Sequence, residues 1–339
     1  MFMADIYWDQ PFAITMKGSV AYYIYPLYFF LIYLDLSAER IERIIKVLFL
    51  ITLGIFAIDA VTFPTPLFAW RSEERRDGIT IFFYGQGFTF LGAFYYLQQY
   101  FKTKNILNAV LFGAAFFCLF FLTQSRMNLL ALVLGFFLIL FYSDFKRKYL
   151  IAVLLIIAAA SFYFTSKVFN GIKEESNDQA ENVKDDIRVL AHSYFLKDLQ
   201  GGIPTMIFGN GVPGRISNLS LETARANENG FWTADLGLTG IYSYFGAFGA
   251  LMWILFFWHV FKANLNERTI YLKAYFLMLS TTAFVAYAIF EPGFMPATIL
   301  VLYLIRCETN KNVEEDTEEE EKEEENQSLL QPLKKLRLR

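Results

Sequence analysis

The feature that most constrains this chain is a succession of apolar runs near bilayer length, separated by short charged clusters. At helical rise, about 20 apolar residues cross the ~30 Å hydrocarbon core of a bilayer. Hydrophobic residues make up 55% of the 339, with 38 Phe and 20 Tyr among them. A soluble domain of this size would interleave more charge with its apolar residues. The pattern predicts an all-α polytopic transmembrane bundle of about nine spans, at 19–36, 47–63, 79–100, 106–122, 127–142, 149–167, 238–261, 270–289 and 294–306. Aromatic residues flank many of these runs, as interfacial belts require. No internal repeat stands out, so a solenoid or an inverted-repeat transporter has no support in the sequence.

The organisation follows from the runs. Residues 1–167 form the N-terminal transmembrane helices, 168–237 one long loop, and 238–307 the C-terminal helices. Residues 308–339 form a tail whose EEDTEEEEKEEE segment cannot bury apolar surface and reads as solvated and disordered, ending in the basic KKLRLR. Much of the acid behind the formal charge of -3 lies in this tail. The connections after the first, third, fifth and seventh runs carry Arg40, Arg43, Lys46, Lys102, Lys104, Lys146, Arg147, Lys148, Lys262, Arg268 and Lys273. Short connections on the other side carry only Arg71, Arg75, Arg76 and Arg126. Excess Lys and Arg marks the cytoplasmic side, which places the C-terminus inside and the long loop outside. An outer N-terminus without a signal peptide is unusual, and is expected either of a chain that begins within a longer protein, the favoured reading, or of a helix miscounted near the start. The two cysteines, Cys118 and Cys307, fall on different sides of this map, so neither a disulfide nor a metal site is expected.

The long loop is where polar chemistry gathers. Its DIRVLAHSYFLKDL stretch repeats apolar residues at helical spacing, with Arg188 and His192 four apart on one face. FGNGVPGR follows as a tight glycine-rich turn, and RANENGFWTADLGLTG leads into the seventh run. Single arginines at points where the chain turns at a membrane surface are costly without partners. Guanidinium groups clamp phosphate through paired charge-assisted hydrogen bonds, so a set of them suits a lipid-tethered pyrophosphate. Each such arginine also fits a simpler role as an interfacial anchor that snorkels to headgroups.

Four pieces in this order resemble the O-antigen polymerase and O-antigen ligase-like membrane glycosyltransferases: RRDG before a run, TQSR at a short outer turn, DIRVLAHSYF before FGNGVP, and ENGFWTADLGLTGIYSYFG at the start of the next run. The resemblance covers about residues 70–300 and its motifs are short. It implies a GT-C-like enzyme of the bacterial inner membrane, with its active face periplasmic. Such an enzyme transfers a glycan from an undecaprenyl-diphosphate donor to a sugar hydroxyl. Polymerases extend another lipid-linked unit and commonly work beside a chain-length regulator, whereas ligases use lipid A-core or protein as acceptor. No cofactor, metal or nucleic-acid partner is implied.

Under this resemblance Arg188 and Arg126, then Arg76 and Arg215, are the expected diphosphate contacts, stabilising the leaving group. Where ligases carry a histidine as base, this chain reads Ala226, Asn227, Glu228, Asn229. Glu228 is therefore the expected base, with His192 as the alternative, and the polymerase branch is favoured. Asn227, Asn229, Gly209, Gly211 and Gly230 are expected to shape the glycan side of the loop. His259 lies at the far end of the seventh run and reads as structural. A transporter or flippase would instead need ionisable residues deep within spans, for which Asp59 is the one clear candidate. A scaffold acting through the acidic tail would have no use for the outer arginines.

Overall fold

The computed structural model of the protein describes residues 2–69, 71–75, 78–82, 85–123, 125–153, 157, 186–215, 217–263, 265, 269–284, 286 and 288–311. These residues are mostly helical, with one two-stranded hairpin among them. The chain opens with short helices α1 (Phe2–Trp8) and α2 (Phe12–Gly18), a 3-10 turn at Val20–Ile24, and α3 (Leu27–Leu34). The expected span at 19–36 is therefore not one helix. Pro26 lacks the N–H that a continuous helix would use, and the 3-10 turn gives way to α3 there.

Helix α4 (Ala38–Val61) ends beside the hairpin β1 (Arg71–Arg75) and β2 (Gly78–Phe82), paired antiparallel with Ser72 opposite Ile81. The hairpin displaces the start of the expected span 79–100. The β-branched run Ile79–Thr80–Ile81 prefers a strand, and the helix α5 begins only at Gln86 and runs to Thr103. Helix α6 (Ile106–Phe117) continues as a wider π turn through Leu122, and α7 occupies Arg126–Tyr142. A helix beginning at 148 is the start of the expected span 149–167, most of which lies outside the described residues.

After the long loop come α8 (Ile187–Ser193), extended by a π turn to Asp198, α9 (Ile203–Phe208) and α10 (Asn218–Glu228). The long helix α11 (Leu238–Lys262) follows, then α12 (Ile270–Thr282), a 3-10 turn at Ala288–Phe290, and α13 at 295–311.

Two of the described helices, α4 and α11, are long and apolar enough to cross a membrane; the segment Val20–Leu34, α6 with its π turn, and α7 are shorter apolar helices. Nine full-length spans are thus not found among the described residues. Only 28% of the apolar window of α4 and 17% of that of α11 is buried, so neither is enclosed by the rest of the described chain. Ile44, Val47, Leu50 and Ile51 on α4, and Phe248, Leu251, Ile254 and Leu255 on α11, turn outward. Exposed apolar surface on this scale requires an apolar surrounding or a partner.

The core lies inward of these two helices. On α12, Tyr271, Tyr275 and Phe276 are fully buried against Phe90, Phe94 and Ile299 of α5 and α13. Two polar side chains inside this core are paired. Gln98 accepts from the Tyr271 N–H at 2.7 Å, and the Tyr275 hydroxyl lies 3.1 Å from Thr298. Small residues set the helix approach: a Cβ at Gly87 would sit 2.7 Å from the Gly293 carbonyl oxygen, and one at Gly92 would strike the ring of Phe49.

Short turns make the bundle alternate up and down. One end collects Arg40, Lys102, Lys104, Lys146, Lys262 and Lys311; the other collects the hairpin, α8 to α10 and the start of α11. Asp59 belongs to that second end. It is fully buried, and its carboxylate accepts from the N–H groups of Leu67, Phe68 and Ala69 at 2.8–3.0 Å. It therefore holds the turn that follows α4.

Candidate site at the start of the broken helix

Helix α8 forms because Asp186 caps it, accepting from the Arg188 N–H at 2.8 Å, and because Ala191, Phe195 and Leu199 recur on one face. That face buries against Leu219 and Ala226 of α10 and Leu236, with Tyr194, Phe231 and Trp8 around it. This small second core fixes α8 over the start of α11. His192 then reaches across, its Nδ1 2.8 Å from the Thr239 hydroxyl in the first turn of α11.

The remainder of the site is electrostatic. Arg188 is exposed and faces both His192, whose pKa is lowered by partial burial and by the guanidinium, and Asp235, in the 3-10 turn Thr233–Leu236. Burial raises the Asp235 carboxyl above its ordinary range, and Arg188 offsets part of that rise. Asp235 is nonetheless exposed by its own surface, with neighbouring protein replacing part of its water. Across from it, burial pushes Glu291 up to about 7, and the Asp235 carboxylate adds to the shift. Glu291 also keeps an accessible edge. Two carboxyls with raised pKa values, an arginine and a histidine are thus coupled electrostatically one to the next, Glu291 to Asp235, Asp235 to Arg188 and Arg188 to His192. That combination can hold an anion and move a proton.

The glycine-rich loop builds the floor of this region. Helix α11 is interrupted at Gly246, whose φ of 69° and ψ of -171° leave the helical region. The break strands carbonyls that the helix would have satisfied. The N–H groups of Asn210 and Gly211 supply the missing donors, bonding Ser243 and Tyr244 at 2.9 Å each. Asn210 is fully buried, donates its amide to Ser243 and accepts from the Trp8 indole at 2.9 Å. Gly209 has a φ of 76°, and a Cβ there would lie 2.3 Å from the Tyr244 carbonyl oxygen. The close approach that Gly209 permits is thus to the backbone of α11, whereas Gly211, at a φ of 83°, packs against Ala4 of α1.

RANENGFW is, for its part, a helix ending. The Gly230 N–H bonds the Asn227 carbonyl and the Phe231 N–H bonds the Ala226 carbonyl, both at 2.9 Å, with Gly230 at a φ of 79°. This is the Schellman pattern, in which a glycine just past the helix frees the backbone to turn. Asn229 is the capping position and exposed, Asn227 is half-buried, and Glu228 is an exposed residue of the last turn. Arg225 forms an ion pair with Glu222 on the same exposed surface.

The structure therefore brings together only some of the residues expected from sequence. Arg188 and His192 face one another at the start of α11, whereas Arg215 lies exposed near the capping box that opens α10. Arg126 is the first residue of α7, and its side chain is outside the described residues; Arg76 lies outside them altogether. Asp235 and Glu291 escaped the sequence reading. Orientation arguments weigh cations, so a lone acid in EPG between two apolar runs carried no signal.

No family model matches the chain, and neither a curated protein nor a solved structure matches it. Among the described residues no group of three or more His, Cys, Asp or Glu could hold a metal ion.

Proposed function

We propose that this is a multi-span inner-membrane glycosyltransferase of the O-antigen polymerase type, acting at the membrane face that carries α8 to α11. The carrying observation is His192, held 2.8 Å from the Thr239 hydroxyl in the first turn of α11, with Arg188 four residues before it on α8; Arg188 is coupled electrostatically to Asp235, and Asp235 in turn to Glu291. The exposed apolar faces of α4 and α11 support a lipid surrounding, and the Lys-rich opposite end supports a cytoplasmic C-terminus. Asp59 serves as a turn cap, which removes the sequence's main candidate for a translocation path.

In this reading Arg188 takes the donor diphosphate and neutralises the charge that develops on it as the glycosidic bond breaks. The acceptor hydroxyl attacks the anomeric carbon and gives up its proton to a carboxylate, and undecaprenyl diphosphate leaves. Glu291 suits the acceptor role for that proton better than Glu228. A base works best with a pKa near the operating pH, and partial desolvation supplies this at Glu291, whereas Glu228 stands exposed at a helix end. His192, held by Thr239, orients the site beside Arg188.

Deleting the gene in its host and resolving surface polysaccharide on a gel tests the reading. Loss of a polymerase leaves core bearing a single repeat unit, loss of a ligase leaves bare core, and an unchanged ladder sinks both. Complementation with Glu228→Gln and with Glu291→Gln then separates the two carboxylates. The ladder is expected to return with the first and not with the second.

A further inference from the structure

A groove runs down the side of the bundle between the Val20–Leu34 segment, α11 and α13. It consists of two cavities of about 630 and 620 Å³ that share Tyr25, Phe256 and Leu302, so one continues into the other. Its upper part is walled by Tyr22, Phe245, Phe290, Met252 and Trp253. Its lower part ends at His259, Lys262 and Arg306, all exposed, with Thr309 and Asn310 beside them. We propose that this groove binds an anionic phospholipid, with its phosphate on Lys262 and Arg306 and an acyl chain along Trp253, Met252 and Phe245.

Three observations carry the assignment. The groove is sided: aromatic and aliphatic along its length, and cationic at one end only, with no carboxylate among the described residues lining the lower cavity. Its length fits a lipid chain. From Gly249 to Lys262 the helix rises ~20 Å, more than half of a ~30 Å hydrocarbon core. The head end is defined as well, since Lys262 and Arg306 both line the lower cavity, and the Lys262 ammonium lies over the adjacent Trp258 ring at 5.0 Å. Arg306 offers the planar fork that matches phosphate oxygens. A neutral lipid would fill the same walls without using these cations, so headgroup charge is the discriminating variable.

The proposal rests on the membrane placement given above and not on glycosyl transfer. Its test therefore reads binding alone, and a chain inactive in transfer can still pass it. The full chain in detergent micelles is titrated with phosphatidylglycerol bearing brominated acyl chains, and with phosphatidylcholine bearing the same chains, while tryptophan fluorescence is followed. Half-maximal quenching is expected at least tenfold lower in concentration for phosphatidylglycerol, and Trp253→Phe is expected to remove most of the saturable signal. Lys262→Gln with Arg306→Gln should abolish the tenfold difference, whereas Arg40→Gln with Arg43→Gln, at the same end but away from the groove, should keep it. The single variants Lys262→Gln and Arg306→Gln, each expected to lose part of the difference, decide the matter if the double variant does not stay monodisperse. Equal quenching by both lipids, or a difference that survives loss of both cations, overturns the proposal. So does displacement of the brominated phosphatidylglycerol by an equimolar polyprenyl phosphate, which would identify a different occupant.

Discussion

Replacing Glu291 by Gln tests the electrostatic account of the site through stability as well as activity. Burial and the Asp235 carboxylate raise the folded-state pKa of Glu291 from 4.5 to about 7. A carboxyl raised in this way binds its proton more tightly in the folded chain than in the unfolded one. The folded state is therefore favoured by protonation below about pH 4.5, and that contribution is lost as the pH rises through about 7. The full loss corresponds to roughly 3 kcal/mol, reached above pH 7. An amide in place of the Glu291 carboxyl carries no such dependence. Apparent melting temperatures of wild type and Glu291→Gln in the same detergent, measured from pH 4.5 to 8.5, should coincide near the acid end. They should then separate with the variant more stable above pH 7. Because unfolding of such a protein is often irreversible, both chains are compared at one scan rate. Asp235→Asn removes the neighbouring carboxylate, which lowers the Glu291 pKa, so in that background the separation should be smaller and complete at lower pH. A difference that does not vary with pH, or a wild type that gains stability over the variant as pH rises, refutes the reasoning about Glu291.

Further outcomes follow from the same geometry. Gly209→Ala places a Cβ against the Tyr244 carbonyl at a backbone angle that favours glycine; backbone strain alone costs ~1–3 kcal/mol, and the loop must also leave α11. A fall in monodisperse protein on fluorescence-detected size exclusion is the expected readout. Asp59→Asn leaves one acceptor oxygen where two served three N–H groups, so a loss of ~1–3 kcal/mol is expected from the orphaned donor. An unfolding transition that does not move would show that this turn contributes nothing. Arg188→Lys keeps the charge and loses the paired geometry, and polysaccharide chain extension is expected to drop by at least tenfold, a loss of ~1.4 kcal/mol or more in the barrier term. Full activity in that variant argues against a two-pronged diphosphate contact.

The apolar runs and their charged punctuation were enough to predict a mostly helical architecture with long apolar helices, because helical length and apolar content are properties of local composition. The helical face that pairs Arg188 with His192 was likewise legible, since residues four apart share a face whatever the fold. Three things needed the tertiary structure. The β-branched strand at 78–82 and the change of helix at Pro26 broke runs that hydropathy alone had joined. The glycines of FGNG received their meaning only from the break in α11 at Gly246, whose stranded carbonyls lie more than thirty residues further along the chain. Glu228, which looked like the reactive acid in ENGF, turned out to end a helix, while Asp235 and Glu291, from separate segments, proved to be coupled electrostatically. A carboxyl's pKa depends on what surrounds it in space. The sequence could name the acids, and only the fold could decide which of them is desolvated beside another charge.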